Sequence, residues 1–284
     1  MRRHELSDAE WELLQPLLPR PSKGRPRADD RRVLNGIVWK LRTGTAWRDV
    51  PERYGPWATL HTRFRRWAKD GTFERMLRAA QAQADAAGDI DWLVSIDSSI
   101  VRAHQHAAGA RKGGEAAKPS RSRGGQALGR SRGGLTTKIH LAVDGLGRPL
   151  ALSVTGGNTN DCTQFTHVME AIRVPRPGPG RPRTRPDHLI GDKGYSSKAI
   201  RTWLRRRGIP HTIPERADQI ANRLRPGSRG GRPPAFDKHI YKQRNVVERC
   251  FNRLKTWRGI ATRYEKTAES YQAAVTLASL LMWA

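Results

Sequence analysis

The spacing of apolar residues changes once along the chain, near Gly88, and this change constrains the fold more than any other feature. Before Gly88 the apolar positions follow a helical period, because apolar residues recur every three to four positions within each segment. Four helices are predicted there: one after a capping-box pattern at 7–10, and others over about 29–43, 59–69 and 71–87. The first part of the chain is therefore expected to be all-α.

After Gly88 the period becomes that of β-strands. One short apolar run ends in Asp97, and another ends in Asp192. Alternating apolar residues over 139–143 and 150–154 flank a glycine-containing turn, which predicts a β-hairpin. The remaining predictions are helices over 159–172 and 196–207, a short strand over 211–213 and a buried helix over 273–284. This order of elements predicts a mixed α/β sheet flanked by helices.

The composition is strongly basic, since 53 Lys and Arg residues stand against 26 Asp and Glu, for a formal net charge of +27. Such an excess is typical of proteins that bind nucleic acid, whose phosphates neutralise it. A membrane surface is the weaker alternative, because no apolar run approaches about 18 residues and the N-terminus lacks an apolar signal segment. Cys162 and Cys250 form neither a disulfide framework nor a metal-binding spacing. We therefore expect a cytosolic protein that binds DNA.

The predicted third helix carries much of the basic charge of the first part. Its apolar residues lie three or four positions apart, and Arg63, Arg65 and Arg66 occupy much of the remaining circumference. A small helical unit with a basic third helix fits a DNA reader of the helix-turn-helix type. The alternative is a helical cap whose arginines are only solvated.

Three segments rich in Gly, Pro and Arg interrupt the α/β pattern, near 111–134, 173–187 and 215–237. Their composition cannot bury a core, so each is predicted to be a mobile loop. Basic loops suit a phosphate backbone that passes nearby. Tolerated insertions in an arginine-rich sequence explain them equally well.

The segment 239–258 contains no Gly or Pro and is predicted to be one helix. On a regular helix Tyr241, Arg244, Glu248 and Lys255 fall within an arc of about 60°. Apolar residues fill the adjoining arc, so one carboxylate lies beside an arginine, a lysine and a phenol at the edge of a buried surface. This row suits a carboxylate that holds a cation next to groups that hold phosphate, although an ordinary surface stripe is also possible.

These residues carry a resemblance to a known family. The strand that ends in Asp97, the sequence Ile190-Gly-Asp192-Lys-Gly-Tyr195 and the row of Tyr241, Arg244, Glu248 and Lys255 resemble bacterial insertion-sequence transposases of the DDE class. The nearest resemblance is to the insertion sequence 5 family, within the insertion sequence 4 type superfamily. The N-terminal segment resembles the small helical domain that precedes the catalytic domain in that family.

The resemblance implies a helix-turn-helix-like DNA-binding domain over 1–88 and an RNase H-like catalytic domain over 89–284. It also implies that Asp97, Asp192 and Glu248 are catalytic and hold divalent metal ions. The row of Tyr241, Arg244, Glu248 and Lys255 corresponds to a helix signature of that family. In that family the residues of the signature other than the glutamate contact transposon-end DNA, and here these are Tyr241, Arg244 and Lys255. The 55 residues between the second and third acids exceed the shortest spacing in the wider class.

The chemistry implied by the resemblance is phosphodiester cleavage followed by strand transfer. Two Mg²⁺ ions, for which Mn²⁺ is expected to substitute, are suited to activating a water and stabilising the leaving oxygen when they lie about 3.5–4 Å apart. Mg²⁺ prefers hard oxygen ligands and keeps several waters, so three shared carboxylates suffice when a DNA phosphate completes the shell. The freed 3′-hydroxyl then replaces water as the nucleophile.

Seven further residues are candidates for a role in the site. His104 and His106 follow the first strand and are expected to be an exposed loop pair rather than metal or phosphate ligands. Asp161 is predicted to cap a helix rather than act as a fourth ligand. Tyr195 and Trp203 could stack on an extruded base, with core packing favoured for Trp203. Ser98 and Ser99 lack a recognisable partner base, which argues against a nucleophilic serine.

The expected partners are double-stranded DNA, both as terminal inverted repeats and as target, and further copies of the chain in a homodimer or higher oligomer. No membrane partner is expected, and the predicted location is the cytoplasm of a bacterium, associated with the nucleoid. Two alternatives remain: a metal-dependent RNase H-like nuclease that cuts without joining, and a catalytically inactive DNA-binding relic.

Overall fold

The computed structural model of the protein describes residues 3–19, 28–108, 126–131 and 134–284. Its first part is helical, as the apolar spacing predicted. The helices there are α1 (Asp8–Leu14), α2 (Asp30–Thr43), α3 (Trp57–Lys69) and α4 (Thr72–Ala86).

The ends of the first two helices follow from local side-chain chemistry. At α1 the Ser7 hydroxyl accepts the Glu10 N–H, and the Glu10 carboxylate accepts the Ser7 N–H, which confirms the capping box. At α2 the Asp29 carboxylate accepts the Arg32 N–H across 2.6 Å. Gly44 ends α2 at φ +73°, a left-handed conformation that glycine adopts without a Cβ clash. The predicted start signal of α1 and the predicted start and stop signals of α2 are therefore confirmed.

The rest of the chain alternates strands and helices. The strands are β1 (Leu93–Ala103), β2 (Gly129–Ser131), β3 (Gly134–Val143), β4 (Pro149–Gly156), β5 (His188–Gly191), β6 (His211–Thr212) and β7 (Thr262–Arg263). The helices are α5 (Gln105–Ala108), α6 (Asp161–Ala171), α7 (Lys198–Arg206), α8 (Ala217–Leu224), α9 (Lys238–Lys242), α10 (Asn245–Lys255), α11 (Arg258–Ala261) and α12 (Ala268–Leu280).

The strands form one mixed sheet in which β1 is central. β1 pairs antiparallel with β3 on one side and parallel with β5 on the other, and β5 continues in parallel to β6. β3 and β4 form the predicted hairpin, while the short strands β2 and β7 pair with β3 and β1. The predicted mixed sheet flanked by helices is confirmed.

The sheet is buried on both faces. Ile139, Leu141 and Val143 of β3 pack into one core with α10 and α12, whereas Ala142 belongs to a second core beneath α6 and α7. Successive strand residues point to opposite faces, so a strand with both sets buried must lie between two layers of helix.

The last helix joins the two parts of the chain. α12, which confirms the buried helix predicted near 273–284, packs against α3, α4 and β4. Apolar residues of the N-terminal helices therefore share one continuous core with α10 and α12. No helix in the described ranges is both long and apolar enough to cross a membrane.

The structure corrects two predicted boundaries. β1 continues past Asp97 to Ala103, because Ser98 to Arg102 keep their pairing with β3. The helix predicted over 239–258 is divided, since the backbone tightens to hydrogen bonds between residues three apart from Gln243 to Val247, between α9 and α10.

Within the described residues, the three segments predicted to be loops contain regular hydrogen-bonded structure. Much of 111–134 lies outside the described residues, although 129–131 and 134 belong to the sheet. The segment 173–187 is closed by two backbone hydrogen bonds, of 2.9 and 2.8 Å, between Val174 and Arg183. The segment 215–237 was wrongly predicted to be loop throughout, because it contains α8.

Candidate active site

The first two predicted acids lie on adjacent strands. β1 and β5 run in parallel, with Ile96 opposite Gly191, so Asp97 and Asp192 follow a matched pair of residues at one edge of the sheet. The Asp192 carboxylate accepts the Gly194 N–H across 2.8 Å, which starts a turn of 3₁₀-helix at 193–195. The parallel pairing therefore explains why two acids 95 positions apart become neighbours.

Arg244 brings the third acid to the same place. One guanidinium nitrogen, Nη1, donates to Asp97 Oδ2 across 2.9 Å, and the other, Nη2, donates to Glu248 Oε1. The side chains of Arg244 and Asp97 are each 20% exposed, whereas that of Glu248 is 50% exposed. Two of the predicted acids, Asp97 and Glu248, thus form one ion-paired group with the predicted DNA-contacting arginine where α10 crosses β1.

The site makes the ionised form of Asp97 unfavourable. Burial raises the pKa of Asp97 to about 6, and the negative charge of Asp192 adds to the rise. The Ser98 N–H, which donates to Asp97 Oδ1 across 2.7 Å, and the charge of Arg244 act in the opposite direction. The Arg244 guanidinium therefore partly offsets the repulsion between the Asp97 and Asp192 carboxylates.

The other two residues of the helix signature take different positions. Lys255, at the end of α10, donates to the Ser99 hydroxyl across 2.5 Å, on the same face of β1 as Asp97. Tyr241 lies on α9, its ring 6.0 Å from the Arg244 guanidinium and 5.1 Å from the ring of Phe236. The break between α9 and α10 therefore separates Tyr241 from the regular helical row, although it stays next to Arg244.

The carboxylates of Asp97, Asp192 and Glu248 suit a hard divalent cation, because carboxylate oxygens are hard ligands and only one guanidinium lies among them. Within the described ranges, however, no three His, Cys, Asp or Glu side chains are grouped closely enough to hold one ion. In this arrangement the Arg244 guanidinium, and not a shared ligand position, connects Asp97 with Glu248.

Arg63 was wrongly assigned to the DNA-binding surface. Its side chain is 7% exposed, pairs with Asp30 across 2.7 Å and lies over the Trp67 ring. The sequence contained this signal, since residue 63 falls on the apolar side of α3, three positions after Leu60. Arg65 and Arg66 are exposed, as predicted for residues that contact DNA.

Asp161 does not cap its helix, because Asn160 is the cap of α6 and accepts the Cys162 N–H across 3.0 Å. The Asp161 carboxylate accepts the Ser98 hydroxyl and the Lys138 ammonium instead. Sequence reasoning missed Lys138, although a lysine within an apolar strand was an available signal.

Tyr195 is buried against Phe165, which excludes it from stacking on a base in this arrangement. Trp203 also packs edge-on against Phe165, at 5.5 Å, and the Arg207 guanidinium covers it, in line with the core role favoured for it. His104 and His106 lie next to each other beyond β1, with ring centroids 4.5 Å apart.

Comparison with known families gives two matches that divide the chain near the predicted boundary. Residues 6–77 match the family described as "Putative transposase of IS4/5 family", and residues 89–283 match the "Transposase DDE domain". The second match covers more than half of the chain and contains all three predicted acids.

Individual relatives agree. The chain is 31% identical over 149 residues to a "Putative transposase for insertion sequence element IS6501" of Brucella ovis, covering 52% of this chain and 98% of that protein. It is 35% identical over 146 residues to a "Putative transposase for insertion sequence element IS402" of Burkholderia cepacia, covering 51% and 62%. An "Uncharacterized protein y4sN" of Sinorhizobium fredii is 43% identical over 109 residues, covering 38% and 83%.

Among solved structures, the "Mos1 transposase paired-end complex with left transposon end" aligns with 84% of this chain and 82% of that one. The TM-score of this alignment is 0.26 and the sequence identity is 11%. The family matches confirm the resemblance, the DDE-type catalytic core and the enzyme class that were predicted from the sequence. The chain belongs to the insertion-sequence transposases that carry a DDE domain.

Proposed function

We propose that the protein binds the terminal inverted repeats of its own insertion sequence and catalyses metal-dependent cleavage and strand transfer of DNA. One observation carries this proposal: Arg244 contacts both Asp97 and Glu248, although Asp97 is 147 positions away in sequence. An arginine that merely stabilised α10 would need only Glu248, one turn along the same helix. The contact instead ties the helix signature to the central strand.

Divalent metal ions are the cofactors used by this family, and we propose Mg²⁺, with Mn²⁺ as a substitute and two ions per site. Asp97, Asp192 and Glu248 are the residues that would hold them. When bound, the ions would supply an activated water and a stabilised leaving oxygen. The fit rests on the donor set, since Asp97 and Asp192 repel each other and a cation would relieve that repulsion.

The remaining residues of the site are suited to DNA. The planar guanidinium of Arg244 matches the geometry of a phosphate and can exchange its carboxylate partners for phosphate oxygens. Lys255 provides a point charge about two turns after Glu248 on α10. Tyr241 provides a hydroxyl or ring face beside Arg244. A DNA backbone running along α10 would therefore pass directly over Asp97.

The N-terminal helices supply a second contact surface in this proposal. Arg65 and Arg66 are exposed on α3, and the net charge of +27 provides a general attraction for duplex DNA. We propose that two or more copies assemble on a pair of transposon ends, and that the protein acts on DNA at the bacterial nucleoid.

The test uses the full chain and duplexes that carry the inverted repeats flanking its coding region, with a supercoiled plasmid as target. The wild-type protein is expected to cut at the repeat ends and to join them to the plasmid with Mg²⁺ or Mn²⁺. Replacing Asp97, Asp192 or Glu248 by alanine should abolish cutting while repeat binding persists. Asp218→Asn, at an exposed acid on α8, is the matched control.

Near-normal cutting by one of the alanine variants would remove that acid from the site. Cutting without joining by the wild-type protein would favour a nuclease. Binding without cutting under all metal conditions would favour an inactive DNA-binding relic.

A further inference from the structure

A charged cluster lies on the face of the sheet opposite Arg244. Ser98 alternates with Asp97 along β1 and therefore points away from α10. It faces Lys138 and His140 of β3 and the first residue of α6, Asp161. Three of these four residues lie within strands of the central sheet, and Lys138 and His140 are buried there.

Asp161 is anchored through one of its oxygens. Its Oδ1 accepts the Ser98 hydroxyl across 2.7 Å and the Lys138 ammonium across 2.9 Å. Lys138 also donates to the Thr159 carbonyl across 2.7 Å, so both ends of the Asp161–Lys138 pair are fixed by further bonds. The side chains of Lys138 and Asp161 are 11% and 32% exposed, so the pair is partly shielded from water.

The cluster reaches the proposed catalytic acid in one step. The Ser98 N–H donates to Asp97 Oδ1 across 2.7 Å, while the Ser98 hydroxyl is held by Asp161. Asp97 Oδ2 is held from the other face of the sheet by Arg244. The two carboxylate oxygens of Asp97 are therefore fixed from opposite faces.

The surroundings of Asp161 also point to the catalytic acids. Tyr195 is buried, its hydroxyl has no hydrogen-bond partner among the described residues, and it experiences the charges of Asp161, Asp97 and Asp192. Nδ1 of His140 is likewise buried and unpaired within the described part, 3.9 Å from Asp161 Oδ1. Unsatisfied buried polar atoms cost stability, and two of them, on Tyr195 and His140, lie beside Asp161.

We propose that Asp161, Lys138 and Ser98 are positioning residues for Asp97. Lys138 fixes Asp161, Asp161 fixes the Ser98 hydroxyl, and the Ser98 N–H sets the orientation of the Asp97 carboxylate. This inference rests on the proposed function, because it assigns the cluster to the acid that would hold the metal. Groups that orient a metal ligand in this way contribute about 10- to 100-fold to metal affinity or activity.

The alternative is a purely structural tether. Asp161 lies in the first turn of α6, where a carboxylate interacts well with the helix dipole, and the pair with Lys138 would fasten α6 to β3. A tether predicts that losing the cluster reduces stability alone. Positioning predicts a change in the properties of Asp97 even when stability is kept.

The deciding variant is Ser98→Ala, which removes the hydroxyl but keeps the backbone N–H and the charged pair. Ser98→Thr retains a hydroxyl and should restore function. Thr155→Val is the matched control, since it breaks the bond between the Thr155 hydroxyl and His140 Nε2 in the same cluster without touching Ser98. Each full-length variant is compared for Mn²⁺ affinity by electron paramagnetic resonance, for kcat and KM of repeat cleavage, and for its urea midpoint.

We expect Ser98→Ala to weaken Mn²⁺ binding and to lower kcat by about tenfold or more, with KM for DNA and the urea midpoint close to wild type. Ser98→Thr should recover most of both losses, and Thr155→Val should show neither. Wild-type Mn²⁺ affinity and kcat in Ser98→Ala would overturn the inference and leave the proposed function intact. A wild-type protein that neither binds Mn²⁺ nor cuts the repeats would instead overturn the proposed function, and this inference with it.

Discussion

Lys40 of α2 and Glu265, which follows β7, form an ion pair whose side chains are only 2% and 5% exposed. The Lys40 ammonium also lies 5.1 Å from the centre of the Trp47 ring. The pair joins a helix of the N-terminal part to the segment that leads into α12. Because both charges are buried, the loss of either Lys40 or Glu265 would leave the other charge unpaired and weaken the contact between the two parts of the chain.

We expect Lys40→Met or Glu265→Gln to lower the free energy of unfolding by about 3–5 kcal/mol, because each leaves one buried charge without its partner. The double variant Lys40→Met with Glu265→Leu should be closer to wild type than either single variant, since neither charge of the pair remains. Urea unfolding of the three full-length variants checks this. Equal losses in the single and double variants would show that packing, and not charge, matters at this junction.

The pKa of Asp97 predicts a pH-dependent cost to stability. Its folded pKa of about 6 lies above the value of about 3.9 for an unfolded aspartate, so the folded state binds the proton more tightly. The free energy of unfolding should therefore fall as the pH rises from about 4 to 6, with the full cost present above pH 6. Asp97→Asn should remove this cost and raise stability at pH 7 by about 1–3 kcal/mol.

The measurement is urea unfolding of wild type and Asp97→Asn in metal-free buffer at several pH values. The two curves should converge below about pH 4. Asp218→Asn, on the exposed α8, serves as the control for a general loss of negative charge. A stability difference that stays constant from pH 4 to 7 would contradict the assigned cause.

The arginines of α3 should separate by burial. Arg63→Ala is expected to reduce stability by on the order of 3 kcal/mol, because it removes a buried guanidinium that pairs with the Asp30 carboxylate across 2.7 Å. Arg65→Ala and Arg66→Ala should leave stability nearly unchanged and weaken repeat binding. For each lost phosphate contact, the slope of log affinity against log salt should decrease in magnitude by about 1. Unaltered slopes in both variants would remove α3 from the DNA surface.

Arg244 and Lys255 should act on DNA more than on stability. We expect Arg244→Ala and Lys255→Ala to weaken repeat binding and strand transfer by about tenfold or more, since bonds to charged groups contribute about 1.5–3 kcal/mol. Arg244→Lys should rescue only partly, because a lysine cannot replace the two-pronged guanidinium. Arg249→Ala, at an exposed arginine of the same helix, is the control. Normal transposition by both alanine variants would reduce the two residues to partners of Glu248 and Ser99.

Much of the fold was predictable because its signals are local. The capping box at Ser7, the limits of α2 at Asp29 and Gly44 and the β3–β4 hairpin depend on side chains or spacings within a few residues. The length of β1 was not predictable in this way. After Asp97 two serines interrupt the apolar run, and hydrogen bonds to β3, some 40 positions later, keep the strand extended through them.

The candidate site shows the same limit. The motif pattern identified Asp97, Asp192 and Glu248 by residue type and order, but no local signal shows that Arg244 contacts two of them. The role of Asp161 was missed because its partners, Ser98 and Lys138, lie 63 and 23 positions away and meet it only across the sheet. A pairwise contact of this kind becomes visible only once the strand register is known.

The position of α12 has a consequence for protein synthesis. The apolar faces of α3 and α4 are covered by a helix that the ribosome makes nearly 200 residues later. A nascent chain that has emerged only as far as β7 therefore still exposes part of its core. The helices proposed to read DNA can reach their final packing only after the catalytic half has been translated. A chain that ends before residue 268 lacks α12 and therefore lacks this packing. The proposed DNA-reading helices would then be completed only in chains that also contain the whole catalytic half.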